Sequence, residues 1–278
     1  AVALSQCLWS VNKPSYESFL NVYLEYHEAF FRKVQLNFAK SIHYPALSIE
    51  RAPRGIKVKF EGLKDDTPFQ IDTYKERFSE TLNPDQEQFY FLKRSQLTNP
   101  TSQIFTLNSQ DFDNSIKYHF VNHSAIGLNI DLITEPHPKY NNNGSLNLVD
   151  GIFGSTPWKG SEWLGFQDST VTFILDLEEK QDIQGVSIGF LEQNGSWIYL
   201  PKSITILTSN DKVNWVKTKN NTSVKLQMKG GRCITDFSAN AQYIKFVIQS
   251  IGIIPEGGEG GGHAPWTFID EIQIIKGE

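Results

Sequence analysis

Aromatic side chains are concentrated in three short segments that are rich in glycine, serine or proline. The segments are residues 151–166 (GIFGSTPWKGSEWLGF), 191–199 (LEQNGSWIY) and 252–266 (GIIPEGGEGGGHAPW). A flat ring presented by a loop can stack on the apolar face of a ligand, whereas a ring inside a core only fills volume. Glycine and proline mark these segments as loops, so we expect some of their rings to be exposed. The available rings are Trp158, Trp163, Trp197, Tyr199, His263 and Trp266.

The pattern of neighbouring residues separates core rings from exposed rings only in part. Trp163 stands beside LGF, and Trp215 lies in VNWVK; both follow the alternation of a strand, so we expect both in a core. Trp158 follows a proline in a polar loop, and Trp197 follows Asn-Gly-Ser. Each of these two tryptophans is compatible with packing and with a position that faces a ligand.

The composition excludes several classes of function. The chain has 278 residues, 39% of them hydrophobic, and a formal net charge of −5. The basic residues are scattered, so no stripe is available to follow the phosphates of nucleic acid. No apolar run approaches the roughly 18 residues of a membrane helix, which argues against membrane insertion. Cys7 and Cys233 lie in unrelated segments and are expected to be buried free thiols.

The elements that must position these residues change three times along the chain. Residues 1–45 contain a short apolar run ending in LWS and an amphipathic helix over Tyr16–Ser41, with Ser15 as its candidate N-cap. Residues 46–115 alternate with period two and predict a small antiparallel β-sandwich. Residues 116–278 contain eight candidate strands without a helix, a pattern typical of a jelly-roll β-sandwich. The predicted fold class is therefore mainly β.

Six segments in order resemble the discoidin-like domain, also called coagulation factor type C, in its carbohydrate-binding form. They are NLVDGIFGS, EWLGF, VTFILDL, VSIGFLEQNGSWIYLPKSITILTSNDKVNW, YIKFVIQSIGI and APWTFIDEIQI. More narrowly, the chain resembles the C-terminal portion of Bacteroides-type β-N-acetylhexosaminidases, the chitobiase-like family 20 glycoside hydrolases. The resemblance implies that residues 1–45 are the last strand and helix of a (β/α)8 barrel, followed by an immunoglobulin-like and a discoidin-like domain. It also implies a secreted or periplasmic protein, and we expect the chain to be a fragment whose partner is the missing catalytic barrel.

The central segment departs from these relatives. Relatives carry a hairpin similar to YTTDGSEP, whereas this chain has FQIDTYKERFSETLNP in the matching region. The immunoglobulin-like assignment of residues 46–115 therefore has less support than the discoidin-like assignment.

The resemblance implies chemistry that this chain lacks. Family members use substrate assistance, in which the acetamido oxygen attacks the anomeric carbon and an adjacent Asp-Glu pair supplies the acid and a helper carboxylate. That pair would precede Ala1. Asp270 and Glu271 are also adjacent, but neighbouring residues of a strand point to opposite faces, so we expect a structural role and no catalytic residue. Trp9 corresponds to a ring that lines the sugar pocket of the barrel, and without the barrel we expect it to be exposed or repacked.

The same resemblance implies a glycan site in loops at one end of the jelly roll. The glycan is expected to contain N-acetylhexosamine or galactose, with one ring stacked on the sugar and polar groups on its hydroxyls. His263 is either such a polar group or an ordinary surface histidine. Residues 257–262 are glycine except for Glu259 and form either a shaped or a mobile loop. The candidate residues are Trp158, Asn194, Trp197, Tyr199, His263 and Trp266.

Jelly rolls of this type often hold a structural Ca²⁺ near the chain ends. Asp150 and Glu271 match the positions of its carboxylate ligands, with Ser155 or Thr156 as a further oxygen. The alternative is a simple turn at Asp150 with bound water.

Three functions remain open from the sequence. The first is a non-catalytic carbohydrate-binding region attached to a hexosaminidase. The second is an architectural spacer without a ligand. The third is a domain that docks on a protein or membrane, which ranks last because the candidate loops are rich in Gly and Glu.

Overall fold

The computed structural model describes the chain as two compact units, Ala1–Tyr44 and Pro45–Glu278. The described residues are 15, 18–19, 22–35, 45–61, 69–73, 78–82, 86–94, 101–109, 112–229 and 231–276. Their secondary structure is mainly β, so the predicted fold class is confirmed. Among these residues, no helix has the length and apolar character needed to cross a membrane.

The first unit, here called the helical unit, contains a π-helical turn at Tyr23–His27 that continues into helix α1 (Glu28–Lys33). Ser15 Oγ accepts a hydrogen bond from the Ser18 N–H at 3.1 Å, which confirms the predicted N-cap. Trp9, Cys7 and the predicted end of the helix at 36–41 lie outside the described residues. The assignment of this unit to a barrel stays a prediction.

The central β domain consists of two antiparallel sheets. One has the order β1-β2-β5 and the other β4-β3-β6-β7. Phe60 of the first sheet contacts Phe105 of the second, with ring centroids 5.5 Å apart, so the two sheets share one core. The strands are β1 (Ala46–Ala52), β2 (Gly55–Glu61), β3 (Phe69–Thr73), β4 (Phe78–Leu82), β5 (Glu87–Lys93), β6 (Thr101–Ser109) and β7 (Phe112–Asn122).

The boundary that we predict between residues 115 and 116 lies inside β7. The last sandwich strand therefore leads directly into the next domain. The domain assignments themselves, including the immunoglobulin-like one, stay predictions.

The C-terminal β domain is built on one eight-stranded sheet. Its order is β12-β11-β14-β10-β15-β9, with β8 paired to β10 and β13 paired to β14. The short helix α2 (Val224–Gln227) follows β12. The strands are β8 (Asn129–Leu132), β9 (Leu164–Phe166), β10 (Thr170–Phe190), β11 (Ser203–Ser209), β12 (Val216–Ser223), β13 (Met228–Lys229), β14 (Arg232–Gln249) and β15 (Thr267–Ile275).

Four strands that the sequence predicts as separate form only two long strands in the structure. VTFILDL and GVSIGF together form β10, and CITDF and YIKFVIQ together form β14. Irregular register between Asp176 and Gln181 and between Ile183 and Gly185 divides the long pair into two halves. The first half of β10 pairs with β8, and its second half pairs with β15. Bulges of this kind bend strands, which lets one strand serve both ends of a sandwich.

The core of this domain is apolar and closely packed. Phe173 of β10 and Phe246 of β14 are fully buried, with ring centroids 4.9 Å apart. Cys233 is a buried free thiol, as predicted for this cysteine.

Two arginines join the central and C-terminal β domains. Arg51 Nε donates to Leu128 O at 3.4 Å, and Arg94 Nε donates to Ile126 O at 2.9 Å. The backbone of Gly55 approaches Gly127 so closely that a side chain at Gly127 (φ +70°) would overlap it. The segment that connects the two domains is thus held by side chains of the central domain.

Candidate functional site

Trp197 is presented at one end of the C-terminal β domain. It follows the 3₁₀ turn Asn194–Ser196 and has left-handed backbone angles, φ 60° and ψ 23°. Such angles are uncommon for a large side chain, and they are retained where the surroundings hold them. The residue is 39% exposed, so Trp197 does not belong to the core between the strands.

His263 stacks on Trp197. Their ring centroids are 4.9 Å apart, and the ring planes differ by 13°. His263 is itself exposed. The pair brings together two candidate residues that are separated by 66 positions in sequence, and it forms an aromatic surface that solvent reaches.

The glycine-rich segment beside this pair is an ordered set of turns. Gly258 N–H donates to Pro255 O, and Gly262 N–H donates to Ile254 O at 2.9 Å. Tyr199 Oη donates to Glu259 O at 3.1 Å, which fixes the middle of the segment. Gly260 (φ +85°) lies so close to the Trp197 indole that any side chain there would overlap the ring. Glycine is therefore needed at this position for contact as well as for conformation.

Hydrogen bonds join the three predicted segments, 151–166, 191–199 and 252–266. In the structure each corresponding loop ends where a strand begins, and we call them loop A (151–163), loop B (191–202) and loop C (250–266). Trp158 Nε1 of loop A donates to Ser196 Oγ of loop B at 3.0 Å. Trp266 N–H of loop C donates to Trp197 O of loop B at 2.8 Å. The three loops therefore meet at one end of the domain, as predicted. We call this region the aromatic end.

Trp158 and Trp266 pack on a buried cluster. The cluster consists of Trp163, Leu191, Ile198 and Phe268. Trp163 is only 5% exposed, so its predicted core position is confirmed. Trp158 and Trp266 are half-buried, so most of their contact is with protein. Asn194 is exposed beside Trp197.

Two further aromatic residues belong to the aromatic end but were not predicted. Tyr140 packs edge-on against Trp266 at 5.0 Å and against Trp158 at 5.6 Å. His137 packs edge-on against Trp266 at 5.2 Å. Both come from the segment HPKY before loop A, and the combination of proline with aromatic residues was the available signal.

Asp270 and Glu271 do not lie on opposite faces, contrary to our expectation. The register of β15 with β10 shifts between Ile188 and Phe190, so two residues of β15 lie opposite Gly189 alone. Asp270 Oδ2 accepts the Gly154 N–H at 2.8 Å, and Glu271 Oε2 accepts the Gly151 N–H at 2.9 Å. The bulge thus directs both carboxyl groups to loop A, because two successive bulge residues no longer alternate.

Glu271 lies in a buried polar network. His123 Nδ1 accepts the Ala125 N–H, so Nε2 carries the proton and donates to Glu271 Oε1 at 2.7 Å. Burial lowers the pKa of His123 to about 3, and the positive charge of Arg232 adds to this effect. Burial raises the pKa of Asp150 well above its usual range, and the charge of Glu271 raises it further. Burial raises the pKa of Glu271 in the same way.

Arg232 completes the network. Its Nε donates to Ser187 Oγ at 2.8 Å, and its Nη2 donates to the Glu271 carbonyl oxygen. Its Nη1 lies 3.3 Å from Asp270 Oδ1. Asp270 and Glu271 are 3% and 0% exposed, so neither carboxyl group is available to a substrate.

The residues predicted to bind Ca²⁺ do not fit that ion in this arrangement. Both oxygens of Glu271 face N–H donors, and Asp150 Oδ1 accepts the Ile152 N–H at 2.8 Å. Calcium binds six to eight oxygen ligands. Ser155 and Thr156 are exposed and are not part of the network. Within the described ranges, no group of three or more His, Cys, Asp or Glu side chains is placed to hold a metal ion.

Trp215 is not a core residue, contrary to our expectation. It is half-buried, and Lys245 Nζ lies 3.9 Å from its ring centroid. Its Nε1 donates to Lys212 O at 3.1 Å. Trp215 follows β11 whereas Trp197 precedes it, so the two rings lie at opposite ends of that strand.

Comparison with solved structures gives neighbours of low identity. CpGH89CBM32-6 of Clostridium perfringens is 17% identical, with a TM-score of 0.36 over 54% of this chain and 94% of that chain. Chitosan-binding module 1 of a chitosanase/glucanase from Paenibacillus sp. IK-5 is 15% identical, with a TM-score of 0.36 over 54% and 96%. CpGH89CBM32-5 of Clostridium perfringens, solved in complex with GalNAc-β-1,3-galactose, is 16% identical, with a TM-score of 0.38 over 53% and 94%.

No curated protein matches the chain. Residues 133–272, which contain loops A, B and C and nearly all of the eight-stranded sheet, match the F5/8 type C domain. Because this match covers half of the sequence, the chain belongs to the F5/8 type C (discoidin-like) domain family.

Proposed function

We propose that the aromatic end of the C-terminal β domain binds a carbohydrate without catalysing its cleavage. The observation that carries this proposal is the exposed Trp197 ring, stacked on His263 where loops B and C meet. Sugar rings have a face of C–H groups that packs on an aromatic ring, and sites of this kind combine such a ring with a few polar groups. An exposed aromatic residue with strained backbone angles is a frequent mark of a ligand site.

The surroundings of Trp197 favour binding because they are already formed. The turns of loop C, the Tyr199–Glu259 hydrogen bond and the left-handed turn at Trp197 hold the ring in place. A site that is formed before the ligand arrives loses less conformational entropy on binding. His263 and Asn194 are exposed beside the ring and can exchange hydrogen bonds with sugar hydroxyl groups.

The charges of loop C favour a neutral sugar at the aromatic end. Loop C carries Glu256 and Glu259 and contains no lysine or arginine. Acidic sugars would be repelled, and anionic lipid headgroups likewise. We therefore propose a glycan that ends in N-acetylhexosamine or galactose, and we place docking on a membrane behind it, although Ile253 is 64% exposed in the same loop.

We further propose that the chain is the C-terminal region of a secreted or periplasmic β-N-acetylhexosaminidase of glycoside hydrolase family 20. Support comes from the six ordered segments of the sequence and from the LWS segment before Val11. The burial of Asp270 and Glu271 supports the part of the proposal that assigns no hydrolytic role to this chain.

A glycan array probed with the full chain, followed by calorimetric titration with the sugars it selects, tests the proposal. Binding that requires Trp197 but not Trp215 supports it. Binding to none of the arrayed glycans, with the chain folded by circular dichroism, would contradict it and would favour an architectural role.

A further inference from the structure

We propose a second binding site, for an oxyanion, in a groove between the central and C-terminal β domains. The groove has a volume of about 430 Å³, and we call it the junction groove. Its charged lining residues are Arg54, Lys93, Arg94, Glu178, Glu179 and Lys276. This site goes beyond the proposed function, because its residues lie outside loops A, B and C. It also differs in ligand, since the groove would bind an anion whereas the aromatic end is proposed to bind a neutral sugar.

Both domains contribute cations to the junction groove. Arg54 precedes β2, and Lys93 ends β5 opposite Gly55. Arg94 N–H donates to Arg54 O at 2.7 Å, which places these two arginines side by side. Lys276 follows β15 in the C-terminal domain. An anion in the groove would therefore contact both domains at once.

The carboxylates of the groove leave an excess of positive charge. Glu178 is fully engaged, because Arg94 Nη1 and Nη2 donate to its two oxygens at 2.7 and 3.2 Å. Glu179 is exposed and is left to balance Arg54, Lys93 and Lys276. For the described residues, no hydrogen bond or ion pair involves the side chains of Arg54, Lys93 or Lys276, although the charge of Arg54 acts on Glu178 and that of Glu179 on Lys276. The groove is thus locally positive in a chain whose net charge is −5.

Lys276 is the cation that an anion would stabilise most. It is half-buried, and burial lowers its pKa below the ordinary value, with repulsion from Arg94 as the next cause. A charged amine that is partly desolvated and faces a like charge gains more from an anionic partner than an exposed amine does. Arg94 itself is held by Ile126 O and Glu178, so it contributes mainly a fixed positive field.

The geometry selects a small oxyanion. Guanidinium and ammonium donors from several directions suit the oxygens of sulfate, phosphate or a carboxylate. Two sources could supply this chemistry, namely a free inorganic ion or an acidic group on a glycan such as a sulfate ester. The volume lies within the range of about 300–1,000 Å³ typical of small-molecule sites, so a monosaccharide that carries the anion can also be accommodated.

Thermal unfolding of the full chain tests the site. Sodium sulfate and sodium phosphate are titrated at low millimolar concentration against sodium chloride of equal ionic strength. At a tenfold excess over the dissociation constant we expect the melting temperature to rise by about 3 °C. The rise should be reduced in Lys276→Gln and in Lys93→Gln, whose dissociation constants should increase about tenfold because a charge-assisted contact is lost. Lys139→Gln, which changes an exposed lysine outside the groove, should behave as the parent chain.

A second arm distinguishes the sources and separates this site from the aromatic end. Calorimetric titrations compare N-acetylglucosamine 6-sulfate with N-acetylglucosamine, in the parent chain and in Trp197→Ala. A glycan source is supported if the sulfated sugar binds more tightly than the neutral sugar, if this difference persists in Trp197→Ala, and if Lys276→Gln reduces it. Stabilisation by the inorganic ions alone supports a free ion. Equal stabilisation of the parent chain and Lys276→Gln, or no stabilisation by any oxyanion, would overturn the inference and leave the proposed function of the aromatic end untouched.

Discussion

Replacing Trp197 by alanine should abolish detectable carbohydrate binding while the chain stays folded. The cost to the fold follows from the exposure of the residue. Truncation of a fully buried tryptophan costs about 3–5 kcal/mol, and since 39% of Trp197 is exposed, we expect about 2–3 kcal/mol. A typical domain has about 5–15 kcal/mol of stability, so the variant should remain folded at room temperature.

The effect on binding should be larger in proportion. A single-sugar site with a dissociation constant of about 0.1–1 mM has a binding free energy of only about 4–5.5 kcal/mol. Burying an aromatic side chain contributes about 1.5–3 kcal/mol, so its loss weakens binding roughly tenfold to a hundredfold. Calorimetry with the best sugar from the array should then show no measurable heat of binding.

Trp215→Ala is the matched control. It removes another half-buried tryptophan, with its Lys245 contact, from the opposite end of β11. We expect a comparable loss of stability, observed as a lower midpoint of urea unfolding, and an unchanged dissociation constant. The reasoning is refuted if Trp197→Ala binds the sugar as the parent chain does, or if both tryptophan variants lose binding equally.

Three further predictions concern the bulge and the buried network. Gly189→Ala should lower the free energy of unfolding by about 1–3 kcal/mol or more, because the new Cβ atom would overlap the Asp270 carboxylate. Gly195→Ala is the control: its Cβ atom would meet open space, so urea unfolding should show no change in stability. His123 is neutral in the fold and titrates at its ordinary value when unfolded, so its contribution to stability is lost as the pH falls from about 6.5 towards 3. His123→Gln should therefore lose less unfolding free energy than the parent chain between pH 7 and pH 4; an equal loss would contradict the role of this titration. EDTA should leave the melting temperature unchanged because both Glu271 oxygens face N–H donors, and a clear decrease would show that calcium is bound.

Local sequence patterns predicted the features that depend on local chemistry. The mainly β class follows from period-two alternation, and the Ser15 cap follows from its position before the helix. Glycine and proline marked loops A, B and C as exposed turns, whereas their convergence at one end of the domain was implied by the resemblance to discoidin-like domains. The core position of Trp163 follows from its place beside the buried strand β9.

Features that depend on distant pairing could not be predicted from local patterns. The bulge at Asp270 and Glu271 exists because β15 pairs with Gly189, about 80 residues earlier, so strand alternation alone gave the wrong faces. Trp215 resembles a core residue in sequence, but Lys245 covers it from β14. Tyr140 enters the aromatic end only because loops A and C fold against it.

The junction at Arg51 and Arg94 limits where the chain can be divided. The Leu128 and Ile126 carbonyl groups accept hydrogen bonds from these arginines, and Val121 N–H of β7 donates to Gly151 O of loop A at 2.7 Å. A shortened chain that begins at residue 116 would keep loops A, B and C but would lose both arginines and the partners of β7. Its two carbonyl groups would then need water, and its loop A would be anchored by a strand without neighbours. We therefore expect the shortened chain to bind a ligand at the aromatic end more weakly than the intact chain does. We also expect the central and C-terminal β domains of the intact chain to melt in one cooperative transition.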